Sequence, residues 1–145
     1  MKDVALVKQQ DDTGCGIACV AMCLKENYDN SKARFAVLLN WGSQKKNFYT
    51  RLPEISRVLD AAQVNYSTKK SSSWEDVQGT CIVGVNREGR HWHWVVVIKD
   101  NVRFLVLDPE TGEIFQHAER QEEFLHSERA STYFSFGNAA IVVHI

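Results

Sequence analysis

The sequence predicts an α+β protein in which an N-terminal helical part packs on a C-terminal antiparallel β-sheet. Apolar residues recur at helical spacing up to residue 62, whereas from residue 64 onward short apolar runs alternate with turn residues. Helices that precede a run of strands are typical of α+β folds. The length of 145 residues is that of one domain, so residues 1–145 are expected to form a single unit.

The helical part is predicted to contain three helices after a short leading strand or extended arm. The arm covers residues 3–8, and the helices cover residues 15–27, 31–39 and 51–62. We expect Asp12 or Thr13 to cap the first helix and Ser31 the second, because short polar side chains accept hydrogen bonds from unpaired N–H groups at helix starts. Pro53 falls near the start of the third helix, where proline is tolerated.

The C-terminal part is predicted to form strands, of which the run of Trp and Val over residues 92–99 is the strongest. The other predicted strands cover residues 64–67, 81–86, 103–107, 113–116 and 139–144. Asp100-Asn101 is predicted to form a tight hairpin turn, with further turns at residues 87–90 and 108–112. A weak helix is expected over residues 119–126, and Trp92 and Trp94 are expected to pack against the helices.

Composition and charge exclude several classes of partner. The 17 basic and 18 acidic residues are well mixed and leave a net charge of −1, so nucleic acid is not expected to be a partner. No apolar run reaches the roughly 18 residues that a membrane span needs. The N-terminus lacks the pattern of a signal peptide, so we expect a cytoplasmic protein, with any export using a route that needs no such signal.

The four cysteines are expected to be free thiols. Three of them, Cys15, Cys19 and Cys23, lie four residues apart on one predicted helix, a spacing that gives poor disulfide geometry. These thiols together with His91 and His93 contain enough ligands for zinc, but structural zinc cysteines usually form close pairs on turns. We therefore expect no metal site.

Cys15 is the candidate nucleophile. It opens the first predicted helix between two glycines, which allow the backbone and a substrate to come close. The start of a helix offers unpaired N–H groups and the positive end of the helix dipole, and both favour a thiolate. The alternative is that Cys15 is a small buried apolar residue, since cysteine is among the most buried residue types.

Three further residues complete a candidate site. His93 lies in the strongest strand and would serve as the proton acceptor that a cysteine nucleophile needs, although His91 shares its face. Asp108 follows the next strand, and the hairpin brings it near the level of His93, where its carboxylate would accept the second imidazole N–H. Gln9 precedes Cys15 by a turn and could supply an amide donor to an oxyanion. For each, an ordinary structural role remains the alternative.

Together these residues resemble the papain-like cysteine peptidases of bacteria that cut leader peptides after a double glycine. The matching segments are Gln9, the Asp-Thr-Gly-Cys-Gly-x-Ala-Cys run around Cys15, the His-Trp-Val-Val-Val run that starts at His93, and the Leu-Asp-Pro run around Asp108. The resemblance covers residues 9 to about 112 and selects His93 over His91. It implies a papain-like fold in which Cys15 attacks, His93 is the general base and acid, Asp108 orients His93, and Gln9 completes the oxyanion hole. Gly14 departs from the pattern, because the family usually has aspartate there.

The resemblance implies a cysteine peptidase that acts through a thioacyl intermediate after a Gly-Gly leader and needs no cofactor. It also implies a peptide or protein substrate and association with an exporter or a secretion system, because such domains usually sit at the N-terminus of bacteriocin-exporting transporters. Two alternatives share the fold. One is a papain-like deamidase or transglutaminase that modifies a protein glutamine, and the other is an inactive module that binds a peptide.

Overall fold

The computed structural model describes residues 4–70, 74–86, 92–116 and 136–144. Within these ranges, three α-helices precede a six-stranded sheet, as the sequence predicts. The helices are α1 (Cys15–Leu24), α2 (Tyr28–Leu38) and α3 (Leu52–Ala61), and one turn of 3-10 helix covers Trp74–Asp76. Residues 4–9 form no regular element, so the predicted leading segment is an extended arm and not a strand.

The sheet is antiparallel throughout. Its strands are β1 (Tyr66–Lys69), β2 (Gly79–Asn86), β3 (Trp92–Lys99), β4 (Phe104–Asp108), β5 (Glu113–Gln116) and β6 (Phe136–Val143). Their spatial order is β1-β6-β2-β3-β4-β5. The last strand therefore inserts between β1 and β2, whereas β2 to β5 follow one another as a meander.

Two of the predicted helix caps are wrong. The residue before α1 is Gly14, which provides no side-chain cap, and Thr13 Oγ1 instead accepts a hydrogen bond from the backbone N–H of Phe48 at 2.7 Å. Helix α2 begins three residues earlier than predicted and is capped by Asn27, whose Oδ1 accepts from Asn30 N at 2.8 Å. The predicted helix over residues 119–126 and the turn at residues 87–90 lie outside the described residues.

Helix α1 lies at the centre of the helical part and is buried on nearly every side. It packs against α2, α3 and β3, and all of its residues except the last are buried. Its apolar side chains join Val96 and Ile98 of β3 in the main core, to which Phe35 of α2 and Leu59 of α3 also belong. A helix that is apolar all round is stable only as an interior element.

The opposite face of the sheet forms a second apolar cluster. Alternate residues of β3 point there, so that Val95 and Val97 pack with Val83 of β2 and Val106 of β4. A sheet with two apolar faces explains why its central strands read as nearly continuous Val-rich runs. None of the helices in the described ranges is long and apolar enough to cross a membrane.

The β3–β4 hairpin fixes the relative position of the two strands that carry His93 and Asp108. Lys99 pairs with Phe104, and Asp100 closes the four-residue loop by accepting the N–H groups of Val102 and Arg103, each at 2.8 Å. The ladder ends at the Val96–Leu107 pair. His93 and Asp108 therefore lie beyond the last paired residues, at the open end of the hairpin.

Candidate active site

Cys15 is the first residue of α1, and its thiol lies against the open end of β3. The residue is 5% exposed. The backbone N–H of Trp94 points at Cys15 Sγ at 3.4 Å, which supplies a donor for a thiolate. The first hydrogen bond of the helix runs from Ala18 N to Gly14 O at 3.0 Å, so the N–H of Cys15 precedes the helical ladder, where N–H groups have no partner within the helix.

His93 is held by Asp108. The distance from His93 Nε2 to Asp108 Oδ1 is 2.8 Å, and the two residues are 5% and 0% exposed. Because a carboxylate only accepts hydrogen bonds, Nε2 carries a proton and Nδ1 is the nitrogen left to face the thiol. Asp108 Oδ1 also accepts the backbone N–H of Glu110 at 2.9 Å, so this buried oxygen has two donors.

The environment of His93 favours the imidazolium. Burial by itself lowers the pKa of His93, but the hydrogen bonds to Asp108 and to Cys15 outweigh burial and raise the pKa from 6.5 to about 9. A histidine with this pKa is cationic at neutral pH. A cationic imidazole is ready to donate a proton to a departing group, as acyl transfer requires.

Gln9 is tied to the same end of the molecule as the other three residues. Its backbone N–H donates to Pro109 O at 2.9 Å, which fixes the arm to the turn after Asp108. Its side-chain Nε2 donates to the carbonyls of Asp11 and Asp12, both at 3.0 Å, and among the described residues its buried Oε1 has no hydrogen-bond partner. In this state the amide N–H groups of Gln9 are therefore directed at the loop before α1.

Tyr28 explains why glycine precedes Cys15. A Cβ added at Gly14 would lie 1.9 Å from the Tyr28 hydroxyl oxygen, so no side chain fits there unless Tyr28 moves. The buried hydroxyl donates to Asp11 Oδ2 at 2.6 Å, and Lys32 Nζ lies 3.0 Å from the same oxygen. Burial alone would raise the pKa of Asp11, but Tyr28 and Lys32 outweigh it and lower that pKa, so the carboxylate holds the loop as an anion.

Trp94 connects the site to the loop before α3. Its indole Nε1 donates to Thr50 O at 2.8 Å, and its ring approaches Gly16 and Gly84. A Cβ at Gly16 would lie 1.9 Å from Thr50 Oγ1, so the second glycine beside Cys15 is also needed for close packing. The prediction that Trp94 packs against the helical part agrees with this position.

Glu110 is the residue that the sequence reasoning missed. Its Oε2 lies 3.7 Å from His93 Nδ1, on the ring nitrogen opposite Asp108. The hairpin register could have identified Glu110. Counting one residue at a time on each strand beyond the Val96–Leu107 pair places Glu110 opposite His93. A cavity of about 290 Å³ lies alongside and is lined by Lys8, Gln9, Gln10, Asp11, Asp12 and Glu110.

The other three cysteines are buried and belong to the core. Burial raises the pKa of Cys19 and of Cys81, and it raises the pKa of Cys23 to about 12. These thiols are therefore protonated at neutral pH, and all four cysteines are free, as predicted. The structure thus brings Cys15, His93 and Asp108 together and puts Gln9 beside them, whereas His91 lies outside the described residues.

Comparison with known proteins identifies the family of the chain. The model of the peptidase C39 family matches residues 3–126. No curated protein matches the chain.

Solved structures resemble the fold. A double-glycine-motif protease from an AMS/PCAT transporter, crystallised in complex with its leader peptide, aligns over 97% of this chain and 91% of its own with a TM-score of 0.61 and 17% identity. The Pseudomonas avirulence protein AvrPphB aligns over 98% of both chains with a TM-score of 0.47 and 11% identity. The family match and the papain-like α+β architecture lead to one conclusion: the chain belongs to the peptidase C39 family and is a cysteine peptidase.

Proposed function

We propose that the protein cleaves a peptide bond through a thioacyl intermediate on Cys15, with His93 as general base and acid and Asp108 as the residue that orients His93. The observation that carries this proposal is the position of the His93 ring. It donates from Nε2 to a buried carboxylate, and Cys15 lies close enough to the ring to contribute to the raised pKa of His93. A cysteine nucleophile needs this combination of a base and a group that orients the base.

The chemistry follows from the two ring nitrogens. In the proposed reactive form the proton of Cys15 is already on His93 Nδ1, and the deprotonated Sγ attacks the carbonyl carbon of the scissile bond. As the tetrahedral intermediate collapses, the C–N bond breaks and Nδ1 returns the proton to the departing amine. Water then attacks the thioester, again with His93 as the base, which releases the new carboxyl terminus and regenerates the thiol.

The oxyanion would form next to the start of α1. There the backbone N–H of Cys15 has no partner within the helix, and the positive end of the helix dipole favours negative charge. Gln9 is the proposed second donor. Its Nε2 would have to turn from the carbonyls of Asp11 and Asp12 when a substrate arrives, because those bonds occupy it in the resting site.

The proposed substrate is a peptide that is cut after a Gly-Gly leader, and the proposed partner is an exporter. Support comes from the double-glycine-motif protease, which belongs to a transporter and was crystallised with its leader peptide. Leader processing before export would place this protein on the cytoplasmic side. We further propose that residues 1–145 act as one domain, since the family match spans most of the chain.

The experiment compares the wild-type protein with Cys15→Ala on a peptide that contains a Gly-Gly junction, read by mass spectrometry. Cys15→Ala should abolish cleavage and leave the fold intact, because alanine is favourable in a helix. Cys81→Ala is the matched control, since it removes a buried thiol of the sheet and should retain cleavage. Cleavage by Cys15→Ala would refute the proposal.

Alkylation by iodoacetamide at neutral pH tests the nucleophile without any substrate. Cys15 should react much faster than the three buried thiols, whose raised pKa values keep them protonated. An inert Cys15 would support a peptide-binding module instead. Conversion of a glutamine amide to an acid without chain cleavage would support a deamidase.

A further inference from the structure

We propose that Glu110 is a positioning residue that stabilises the cationic form of His93 from the Nδ1 side, opposite Asp108. The inference rests on the proposed function, because it gives the general base a second carboxylate neighbour. Two carboxylates then flank one imidazole ring: Asp108 Oδ1 lies 2.8 Å from Nε2, and Glu110 Oε2 lies 3.7 Å from Nδ1.

The position of the Glu110 backbone depends on Asp108. Its N–H donates to Asp108 Oδ1 at 2.9 Å, and the turn is closed by a bond from Gly112 N to Asp108 O at 2.9 Å. On the other side, Gln9 N binds Pro109 O. The residue that orients His93 therefore also fixes the backbone from which the Glu110 side chain extends toward the ring.

The distance indicates how Glu110 acts. A separation of 3.7 Å is within ion-pair range but too long for a good hydrogen bond, so its effect on Nδ1 comes mainly from its charge. This leaves Nδ1 directed at Cys15 while the carboxylate favours retention of the proton. The side chain is 46% exposed, and solvent screening limits the effect.

Other titratable groups surround the His93 ring from the elements packed against it. Cys15 faces it from α1 and Asp108 from β4. The arm and the loop before α1 contribute Lys8, Asp11 and Asp12 to the cavity beside Glu110, and Asp11 is already bound by Tyr28 and Lys32. Of these groups, Glu110 is the one that lies within ion-pair distance of Nδ1.

The test is the titration of His93 by NMR of the resting protein labelled with ¹³C in its histidine rings. In Glu110→Gln, which keeps the size of the side chain but removes its charge, the midpoint should fall by about half a pH unit. Glu110→Asp keeps the charge and should recover part of the shift. Glu75→Gln is the charge-matched control, because Glu75 interacts with Lys99 at the far end of β3, roughly 20 Å away along the strand. It should leave the midpoint unchanged.

An unchanged midpoint in Glu110→Gln would overturn the inference, as would an equal shift in Glu75→Gln. If the fold of Glu110→Gln were disturbed, Glu110→Asp would still decide, because a carboxylate moved farther from Nδ1 should give a smaller shift in the same direction. In a cleavage assay, kcat/KM of Glu110→Gln should equal that of the wild type at pH 7 and be about twofold lower at pH 9, because a fall of half a pH unit from a pKa of about 9 cuts the protonated fraction of His93 at pH 9 from about one half to about one quarter.

Failure of this inference and failure of the proposed function give different results. If Cys15 in the wild-type protein did not react with iodoacetamide at neutral pH, the proposed function would fail, while the NMR titration would still measure the effect of Glu110 on His93. If Cys15 reacted rapidly and the His93 midpoint did not respond to Glu110→Gln, the proposed function would stand and the role of Glu110 would be rejected.

Discussion

Gly14 and Tyr28 together determine the position of the loop that leads into α1 and the candidate nucleophile Cys15. The Tyr28 hydroxyl occupies the space that a side chain at Gly14 would need, and it binds Asp11, three residues before Gly14. Burial and the bond to Asp11 raise the pKa of Tyr28, so the hydroxyl stays protonated and donates. The acidic group next to the site thus comes from Asp11, whereas the family pattern usually has aspartate in place of Gly14.

Gly14→Ala should destabilise the protein by about 2 kcal/mol, a typical cost of inserting a methyl group into a packed site. Gly14 has φ of −92°, which alanine adopts without strain, so the loss would come from the clash with Tyr28 alone. Denaturation by urea measures the free energy of unfolding. The rate of Cys15 alkylation should fall in the same variant, because the clash displaces the start of α1.

Tyr28→Phe provides the control for that clash. Alone it should destabilise the protein by about 1 to 2 kcal/mol, because Asp11 loses a hydrogen bond. Combined with Gly14→Ala it removes the hydroxyl that causes the closest contact, so the double variant should be more stable than the sum of the two single effects by about 1 kcal/mol. Strict additivity would show that the two residues do not compete for space.

At the scale of elements, Trp94 links β3 to both α1 and the loop before α3. Its backbone N–H points at Cys15 Sγ, and its indole N–H binds Thr50 O. One residue thereby contributes a donor to the thiol and fixes the distance between the strand and the helix start. The sequence shows that Trp94 alternates with His93, but it does not reveal that the backbone of Trp94 faces the sulfur.

Trp94→Phe should reduce the free energy of unfolding by about 2 kcal/mol, because it leaves Thr50 O without its donor and a small gap beside Gly16. Cys15 alkylation should also slow down. Trp41→Phe is the matched control, because Trp41 stacks on Phe35 of α2 with ring centroids 5.7 Å apart. It should affect stability only. Equal slowing of alkylation in both variants would contradict the link.

Helix boundaries show where sequence reasoning at this scale succeeds and where it fails. All three helices and the central hairpin were predicted, because apolar periodicity and turn residues are local signals. The cap of α2 was missed because Asn27 and Ser31 are both good N-cap residues. Only the packing decides between them: the Ser31 hydroxyl is buried and donates to Ile17 O at 2.8 Å, which leaves Asn27 to cap the helix.

For the whole molecule, the candidate site depends on folding, because its members come from an arm, a helix start and two strand ends. The side-chain contact of His93 with Asp108 was predictable, since the hairpin loop brings the ends of β3 and β4 close together. The roles of Tyr28 and Glu110 were not, because they follow from the packing of α2 and from the turn after β4. Local patterns do not encode such contacts.

The raised pKa of His93 makes the free energy of unfolding depend on pH. The pKa of His93 is raised from 6.5 to about 9 in the folded protein, so the folded state binds a proton that the unfolded state releases between these values. The stabilisation is fully present below pH 6.5 and is lost as the pH rises to about 9. Each pH unit corresponds to about 1.4 kcal/mol, so the free energy of unfolding should fall by on the order of 3 kcal/mol over this range.

Urea denaturation at pH 6, 7.5 and 9 measures this slope, on the order of 1 kcal/mol per pH unit. Asp108→Asn should remove most of it, because a neutral amide no longer stabilises the His93 cation. His144 is the natural control: it is exposed and its ring bonds to Ser67 Oγ at 3.2 Å, so His144→Gln should leave the slope unchanged. A slope that is the same in Asp108→Asn would show that other groups cause it.

The burial of α1 has a consequence for laboratory evolution of this enzyme. Cys15 begins a helix that is buried along nearly its whole length. Substitutions in that helix that alter the reactivity of the Cys15 sulfur would therefore also disturb the core. Variation that adapts the enzyme to new peptides is therefore best directed at the solvent-facing arm and the loop before α1, at Gln10 and Asp12, where libraries can be diversified without loss of folding yield.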